Sequence, residues 1–245
     1  MSPPRVALIS DLHLDPSAPD TQALAVRYLE TALDDVRALF ILGDLFEAWV
    51  GDDDPVDWAE PFLAALSAVS SRGVAITLMH GNRDFLIGET FADRVGATVN
   101  RADTAVIELG ARRAVVMHGD TLCTDDADYL AVRANVRTPA WQRAFLAQPL
   151  ADRQAQAKVL RAESRAKTAT KRLSLTDANV DACESALQDH RADWLIHGHT
   201  HRPGSHPCGE GTRYVLGEWL ANGATVALLD PAGVQLAHWP PRPNP

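Results

Sequence analysis

Cysteine is scarce and poorly placed for cross-links: Cys123, Cys183 and Cys208 are the only three in 245 residues, and they stand far apart. An odd number at such spacing excludes a disulfide framework and a zinc knuckle and points to a reducing compartment. No apolar run approaches the length that crosses a bilayer. Residues 1–4 lead straight into a short strand-like run, without the basic stretch, apolar segment and cleavage site of a secretory signal. Basic charge is in deficit, with 23 Lys and Arg against 32 Asp and Glu and a formal net charge of -9, which argues against a general nucleic-acid binder. What is present is ordinary for a globular protein: 46% apolar and 22% charged residues, in a chain long enough for one full core with an insertion.

Short, uniformly apolar runs recur at 6–9, 39–42, 74–79, 114–117 and 194–196. They are too short for amphipathic helices and read as buried strands. Helical patterns lie between several of them, at 21–33, at 55–69 ahead of Gly73, and at 89–95 ahead of Gly96. Strands alternating with helices predict a layered α/β architecture. Runs at 213–216, 224–229 and 234–239 predict a terminal antiparallel portion. The alternation breaks from about 126 to 190, which is rich in Ala, Arg, Gln and Glu and has no strand signal. This stretch reads as a helical insertion, dividing a core at 1–125 and 191–245. Within it, Arg153, Lys158, Arg161, Arg165, Lys167, Lys171 and Arg172 face only Asp152 and Glu163, a local excess of five positive charges. That run is either a solvated helix face or an anion-binding surface.

The ends of the strands carry the chemistry. The five runs lead into Asp11-Leu-His13, Gly43-Asp44, Gly81-Asn82-Arg83-Asp84, His118-Gly119-Asp120 and His197-Gly198-His199-Thr200-His201. In α/β sheets, sites form at the carboxyl ends of strands, so these side chains can converge although the chain between them is long. Each fragment alone is weak. Together, five strand ends that terminate in Asp, Asn or His would be costly to bury unless cations compensated them. Carboxylate, imidazole and amide donors without thiolate suit Mn²⁺, Fe²⁺, Zn²⁺ or Mg²⁺, and two such ions would activate a water for hydrolysis of a phosphorus-oxygen bond.

At these residues the chain resembles the calcineurin-like metallophosphoesterases, whose Asp-x-His, Gly-Asp, Gly-Asn-x-Asp, His and Gly-His-x-His motifs it meets in order. The resemblance implies the layered sandwich of that superfamily, with a helical cap inserted. It also implies a dimetal centre in which Asp11, His13, Asp44 and His199 hold one ion and Asp44, Asn82, His118 and His197 the other, with manganese the favoured metal. His201 is expected to orient a ligand without binding the ion itself. Where many members carry His in the third motif, this chain has Arg83, which cannot be a general acid near neutral pH but can clamp phosphate oxygens in bidentate fashion.

The longer motifs, 42–49, 51–54, 118–126 and 197–203, are similar to those of the branch that hydrolyses the pyrophosphate of UDP-2,3-diacylglucosamine in lipid A biosynthesis. That likeness runs nearly end to end. It implies a peripheral protein on the cytoplasmic face of a bacterial inner membrane, with catalysis by Asp44, Asn82, Arg83 and His197. The substrate contacts it implies are Asn82, Arg83, Asp126, Ser164, Thr168, Lys171 and His197, and the insertion would receive the acyl chains. Thr168 stands where Asn is common and reads equally well as a solvent-facing residue, while Asp126 also suits an N-cap. Asp52, Asp53 and Asp54 before Pro55 read as a turn and helix start and not as a third metal site. Cys123 reads as a small buried residue. The alternative activity is a metallophosphoesterase acting on a soluble nucleotide or nucleoside diphosphate-sugar, and the alternative class is a scaffold that has lost its metals.

Overall fold

Along β1 (Arg5–Ile9), Val6 and Leu8 face one side and Ala7 and Ile9 the other, and all four are buried. A strand covered on both faces needs a layer on each side of it. In this computed structural model, which describes residues 5–170 and 176–241 (backbone only at 167–170), those layers are a second sheet and a set of helices. The six-stranded sheet runs β11 (Gly233–Trp239), β10 (Ala224–Asp230), β1, β2 (Val36–Ile41), β3 (Ala75–Met79), β4 (Ala97–Asn100). The five-stranded sheet runs β5 (Thr104–Leu109), β6 (Arg112–Met117), β7 (Trp194–His197), β9 (Gly211–Val215), β8 (Gly204–Cys208).

Val6 and Leu8 pack between the sheets with Val116, Ile196 and Leu229. Ala7 and Ile9 instead meet α1 (Pro19–Thr31) and α2 (Glu60–Ser71) through Leu24, Tyr28, Phe62 and Leu66, alongside α3 (Glu89–Val95). Each fully buried side chain of this kind contributes about 1.5–3 kcal/mol. Gly96 ends α3 in the left-handed region, at φ 67°, where a side chain would be strained.

The insertion between β6 and β7 divides by packing. The helix α7 (Val180–His190) lies on the outer face of the five-stranded sheet, with Cys183 and Leu187 against Val115 and Leu195. The preceding helices are α4 (Ala127–Val136), α5 (Pro139–Leu146) and α6 (Leu150–Thr170). They bury little: α4 has no buried residue and α5 only Phe145.

Three strands carry no uniform apolar run. β5 has exposed positions between its buried ones, β4 is four residues long, and β8 contains Pro207. All three lie at sheet edges, where polar residues and proline are tolerated because one side needs no partner. The predicted terminal antiparallel portion is also corrected. β10 and β11 form a hairpin on β1, but β9 runs parallel to β7 in the other sheet. Pairing with strands distant in sequence decides that choice. The Asp52–Asp54 run is a turn that anchors its surroundings: Asp52 accepts from the backbone N–H groups of Gly88 (2.9 Å) and Phe91 (3.0 Å) at the start of α3. Asp53 pairs with Arg153 and Asp54 with Gln154.

Candidate metal centre

Immediately beyond the strands the backbone turns in a way ordinary residues avoid. Asp11, His13, Asp44, His199 and His201 have φ of 57°, 47°, 52°, 64° and 53°. Each such conformation costs a non-glycine residue about 1–3 kcal/mol and persists only where its surroundings enforce it. Here they do, through backbone bonds from Asp11 N–H to Gly43 O (3.1 Å), His13 N–H to Asp44 O (2.9 Å) and Trp219 N–H to Asp11 O (3.0 Å). Two glycines permit the close approach. A Cβ on Gly81 would lie 2.1 Å from Asp44 Oδ1, and one on Gly198 the same 2.1 Å from Asp11 Oδ2.

The turns gather electron-pair donors into two neighbouring groups. In the first, Asp11 Oδ1 lies 3.3 Å from His201 Nε2 and 3.9 Å from His13 Nε2. In the second, Asn82 Oδ1, His118 Nε2 and His199 Nδ1 stand 2.9–3.2 Å from one another. Asp44 sits between them, with Oδ2 3.8 Å from His13 Nε2 and Oδ1 3.7 Å from His118 Nε2. Asp11 and Asp44 are buried. Burial alone would raise the Asp11 carboxyl, but the contact with His201 and the surrounding imidazoles hold it well below the usual range. Burial works against the protonated ring of His201, yet Asp11 and Glu218 push its pKa up to about 10. Burial and His118 together lower His199 to about 4, so its ring is neutral and offers a lone pair.

These donors fit divalent cations. Oxygen and imidazole nitrogen without sulfur suit Mn²⁺, Fe²⁺, Zn²⁺ or Mg²⁺. The Asn82 amide can present either end to this group. With its oxygen inward it faces two imidazole nitrogens. Reversed, its NH₂ would donate to both and to Asp44 Oδ2 at 3.3 Å, while its oxygen accepted from Arg83 Nε at 3.3 Å. The inward oxygen is the orientation a cation selects.

One expected ligand does not join. His197 is the last residue of β7, and alternation puts it on the side of Leu195, toward α7, while Ile196 faces the inter-sheet core. Its Nδ1 lies 2.9 Å from Gly198 O, its Nε2 is buried without a partner, and burial lowers it to about 4. The histidines that enter are therefore His199, beside Asn82 and His118, and His201, beside Asp11 and His13. This corrects the expected pairing of His199 with Asp11 and of His197 with Asn82, and with it the catalytic and substrate roles expected of His197. The signal was available: Gly198-His199-Thr200-His201 is itself a Gly-His-x-His.

Other residues fall around this centre. Arg83 donates its backbone N–H to Asp44 Oδ1 at 2.8 Å and holds Nε 3.7 Å from Asp44 Oδ2, with its side chain 22% exposed. Asp84, which sequence reasoning left without a role, accepts from the N–H groups of Gly81 (2.8 Å) and Leu45 (2.6 Å) and ties two ligand loops together. Burial and the charge of Asp44 raise its pKa to about 6. Asp126 caps α4, accepting from Tyr129 N–H at 3.1 Å. Tyr129 and Arg133 of α4 both donate to Asp120, at 2.5 and 2.7 Å. Ser164 is half-buried on α6, one turn from Arg161, which pairs with Glu47 beside His13. Lys171 and the Thr168 side chain lie outside the described residues.

The basic run is also partly spoken for: Arg153 is buried against Asp53, and Arg161 and Arg165 share Glu47. Cys123 is buried, as expected, and burial with nearby Asp120 raises its thiol to about 12.

Comparison with known proteins narrows the class. The profile of the family described as calcineurin-like phosphoesterase matches residues 4–203. A protein of Klebsiella pneumoniae subsp. pneumoniae named UDP-2,3-diacylglucosamine hydrolase is 44% identical over 236 residues, covering 95% of this chain and 98% of its own. A protein of the same name from Escherichia coli O81 is 46% identical over the same span. Among solved structures, an archaeal phosphodiesterase superposes with a TM-score of 0.51 at 14% identity, covering 96% of this chain and 99% of its own, a likeness of fold.

Proposed function

The chain belongs to the calcineurin-like phosphoesterase family and is a metal-dependent hydrolase, and from that premise we propose that it cleaves the pyrophosphate bond of UDP-2,3-diacylglucosamine. The products are UMP and 2,3-diacylglucosamine 1-phosphate. The observation that carries this reading is the 44–46% identity to hydrolases of that name along 95% of the chain. The two converging donor groups supply a centre suited to the reaction.

Asp11, His13, Asp44 and His201 hold one ion and Asp44, Asn82, His118 and His199 the other, with manganese the preferred metal. The distances among these donors support that division. When bound, such a pair of ions acidifies a water and offsets charge on phosphoryl oxygens. The chain's own residues do the rest. Asp44 presents one carboxylate oxygen to each donor group and so sets their spacing. Arg83, partly exposed at the rim, turns its guanidinium to the diphosphate and fixes it by paired N–H donors.

The helices α4 to α6 form a cap over the centre, and α6 brings Ser164 toward the substrate. Val132, Leu146, Val159 and Leu160 of these helices are 60%, 41%, 57% and 53% exposed and offer the surface that acyl chains cover. No described helix is long and apolar enough to cross a membrane. We place the chain at the cytoplasmic face of the inner membrane, held by its lipid substrate.

The test is hydrolysis by Mn²⁺-loaded protein of UDP-2,3-diacylglucosamine beside UDP-glucose and cyclic nucleotides, with ¹⁸O-water as solvent. Rapid turnover of the diacylated compound, with label in UMP, is expected. Preference for a soluble nucleotide would move the activity to that class, and label in the lipid sugar phosphate would reverse the direction of attack.

A further inference from the structure

A histidine binds a cation through one ring nitrogen, and whichever group holds the other nitrogen decides which one is free. His118 is held by backbone, with Nδ1 2.9 Å from Leu42 O. His13 and His201 differ. His13 Nδ1, which makes no aligned hydrogen bond, lies at an ion-pair distance of 3.0 Å from Glu47 Oε2, and His201 Nδ1 lies 3.1 Å from Glu218 Oε2. In both rings this leaves Nε2 turned inward, and the two Nε2 atoms approach to 3.3 Å with the rings edge-on at 64°.

The supports of the two glutamates are built in. Glu47 N–H donates to Leu14 O at 3.1 Å, so the segment carrying the carboxylate is bonded to the residue after His13. Glu218 precedes Trp219, whose N–H donates to Asp11 O at 3.0 Å. Each carboxylate therefore stands on a segment stitched to the ligand loops themselves. The two separate in one respect. Glu47 Oε1 also takes Arg161 and Arg165 of α6, the latter at 2.6 Å, whereas no arginine is paired with Glu218 among the described residues.

We propose that Glu47 and Glu218 are positioning residues of the metal centre: each sets its carboxylate against the Nδ1 of its histidine, favours the tautomer that leaves Nε2 free, and aims that atom at the ion held with Asp11. The inference rests on the metal-centre reading above. The rival role for Glu47 is to seat α6 alone, through its arginines.

The test uses the full chain. Mn²⁺ affinity is measured by isothermal titration for wild type, Glu47→Ala, Glu47→Gln, Glu218→Ala, Glu218→Gln and the double variant Arg161→Ala with Arg165→Ala. Ring-nitrogen NMR shifts of ¹⁵N-histidine protein loaded with Zn²⁺, a diamagnetic ion for the same site, report which ring nitrogen keeps its proton. Each alanine variant should weaken Mn²⁺ binding about 10–100-fold and lose the Nδ1–H tautomer of its own histidine only. The glutamine variants, whose amide oxygen still accepts, should recover most of the loss, and the double arginine variant should bind Mn²⁺ as wild type does. Wild-type affinity with unchanged tautomers in both alanine variants would overturn the proposal. Metal loss in the arginine variant equal to that of Glu47→Ala would make Glu47 a docking residue and overturn its half. Should Glu47→Ala fail to fold, Glu47→Gln and the half-exposed Glu218 still decide. Wild type that takes up no Mn²⁺ would instead remove the metal centre itself, and the inference with it.

Discussion

The strand ends and the α4–α6 insertion are built in opposite ways. At the strand ends, buried carboxylates and imidazoles sit on backbone forced into the left-handed region, under a core of more than fifty buried apolar side chains. In the insertion almost nothing is buried, and attachment runs through charged contacts: Arg133 to Asp120, Arg153 to Asp53, Arg161 and Arg165 to Glu47. The first arrangement holds atoms to within fractions of an ångström, as chemistry needs. The second has few buried contacts, so its local opening should cost less than opening of the core.

The contrast breaks most sharply at Asp44. Asp44→Asn keeps the fold but presents an NH₂ to one donor group, and kcat/KM should fall about 100-fold or more. Near wild-type turnover under limiting Mn²⁺ would refute the shared carboxylate. A second test is substrate discrimination. Each methylene removed from water contributes about 0.8 kcal/mol, so five covered methylenes give about 4 kcal/mol, or about 1000-fold in kcat/KM. The diacylated substrate should be preferred to a deacylated UDP-glucosamine by about that factor. Replacement of 127–170 by a short linker should abolish the preference, provided both metals are retained. Equal efficiency on the two substrates in wild type would rule out an acyl-binding cap.

Arg153→Met sharpens the comparison within the insertion. It strips donors from Val50 O and Gln148 O, while Asp53, with a side chain 62% exposed, regains water. The expected cost is about 1–3 kcal/mol in urea unfolding. Amide exchange should quicken in α6 and stay unchanged in β1; equal quickening in both would mean that the insertion and core open as one unit. The smallest effect belongs to the surface. Arg94 and Glu60 pair at 2.5 Å with side chains 40% and 59% exposed, so Glu60→Ala should shift stability by no more than about 1 kcal/mol. A larger shift would show that α3 depends on that pair.

Much of this was legible beforehand because local chemistry carried it. Uniform apolar runs marked β1, β2, β3, β6 and β7, since strands buried on both faces admit nothing else. Edge strands escaped for the converse reason: β8, with Pro207 and little burial, has no hydrophobic pattern to find. The basic run showed its charge in sequence, but its partners Asp53 and Glu47 lie 100 or more residues away. How much of that charge is free for a ligand was therefore invisible.

By itself the amino-acid sequence determined the alternation of strands and helices, the kinds of donor atom, and the places where strands hand them over. Those follow from side-chain polarity and period, which are local. Between the two overlapping readings of His197-Gly198-His199-Thr200-His201, tertiary structure decided which histidines enter the centre. His197 ends a strand and inherits its alternation, so it lies on the side of Leu195 and away from the donor groups. His199 and His201 stand on backbone turned to φ 64° and 53°, in a region their own preferences disfavour. Only contacts with other segments, such as His199 N–H to Asp11 Oδ2 at 2.9 Å, hold them there and reverse the direction that strand periodicity would assign.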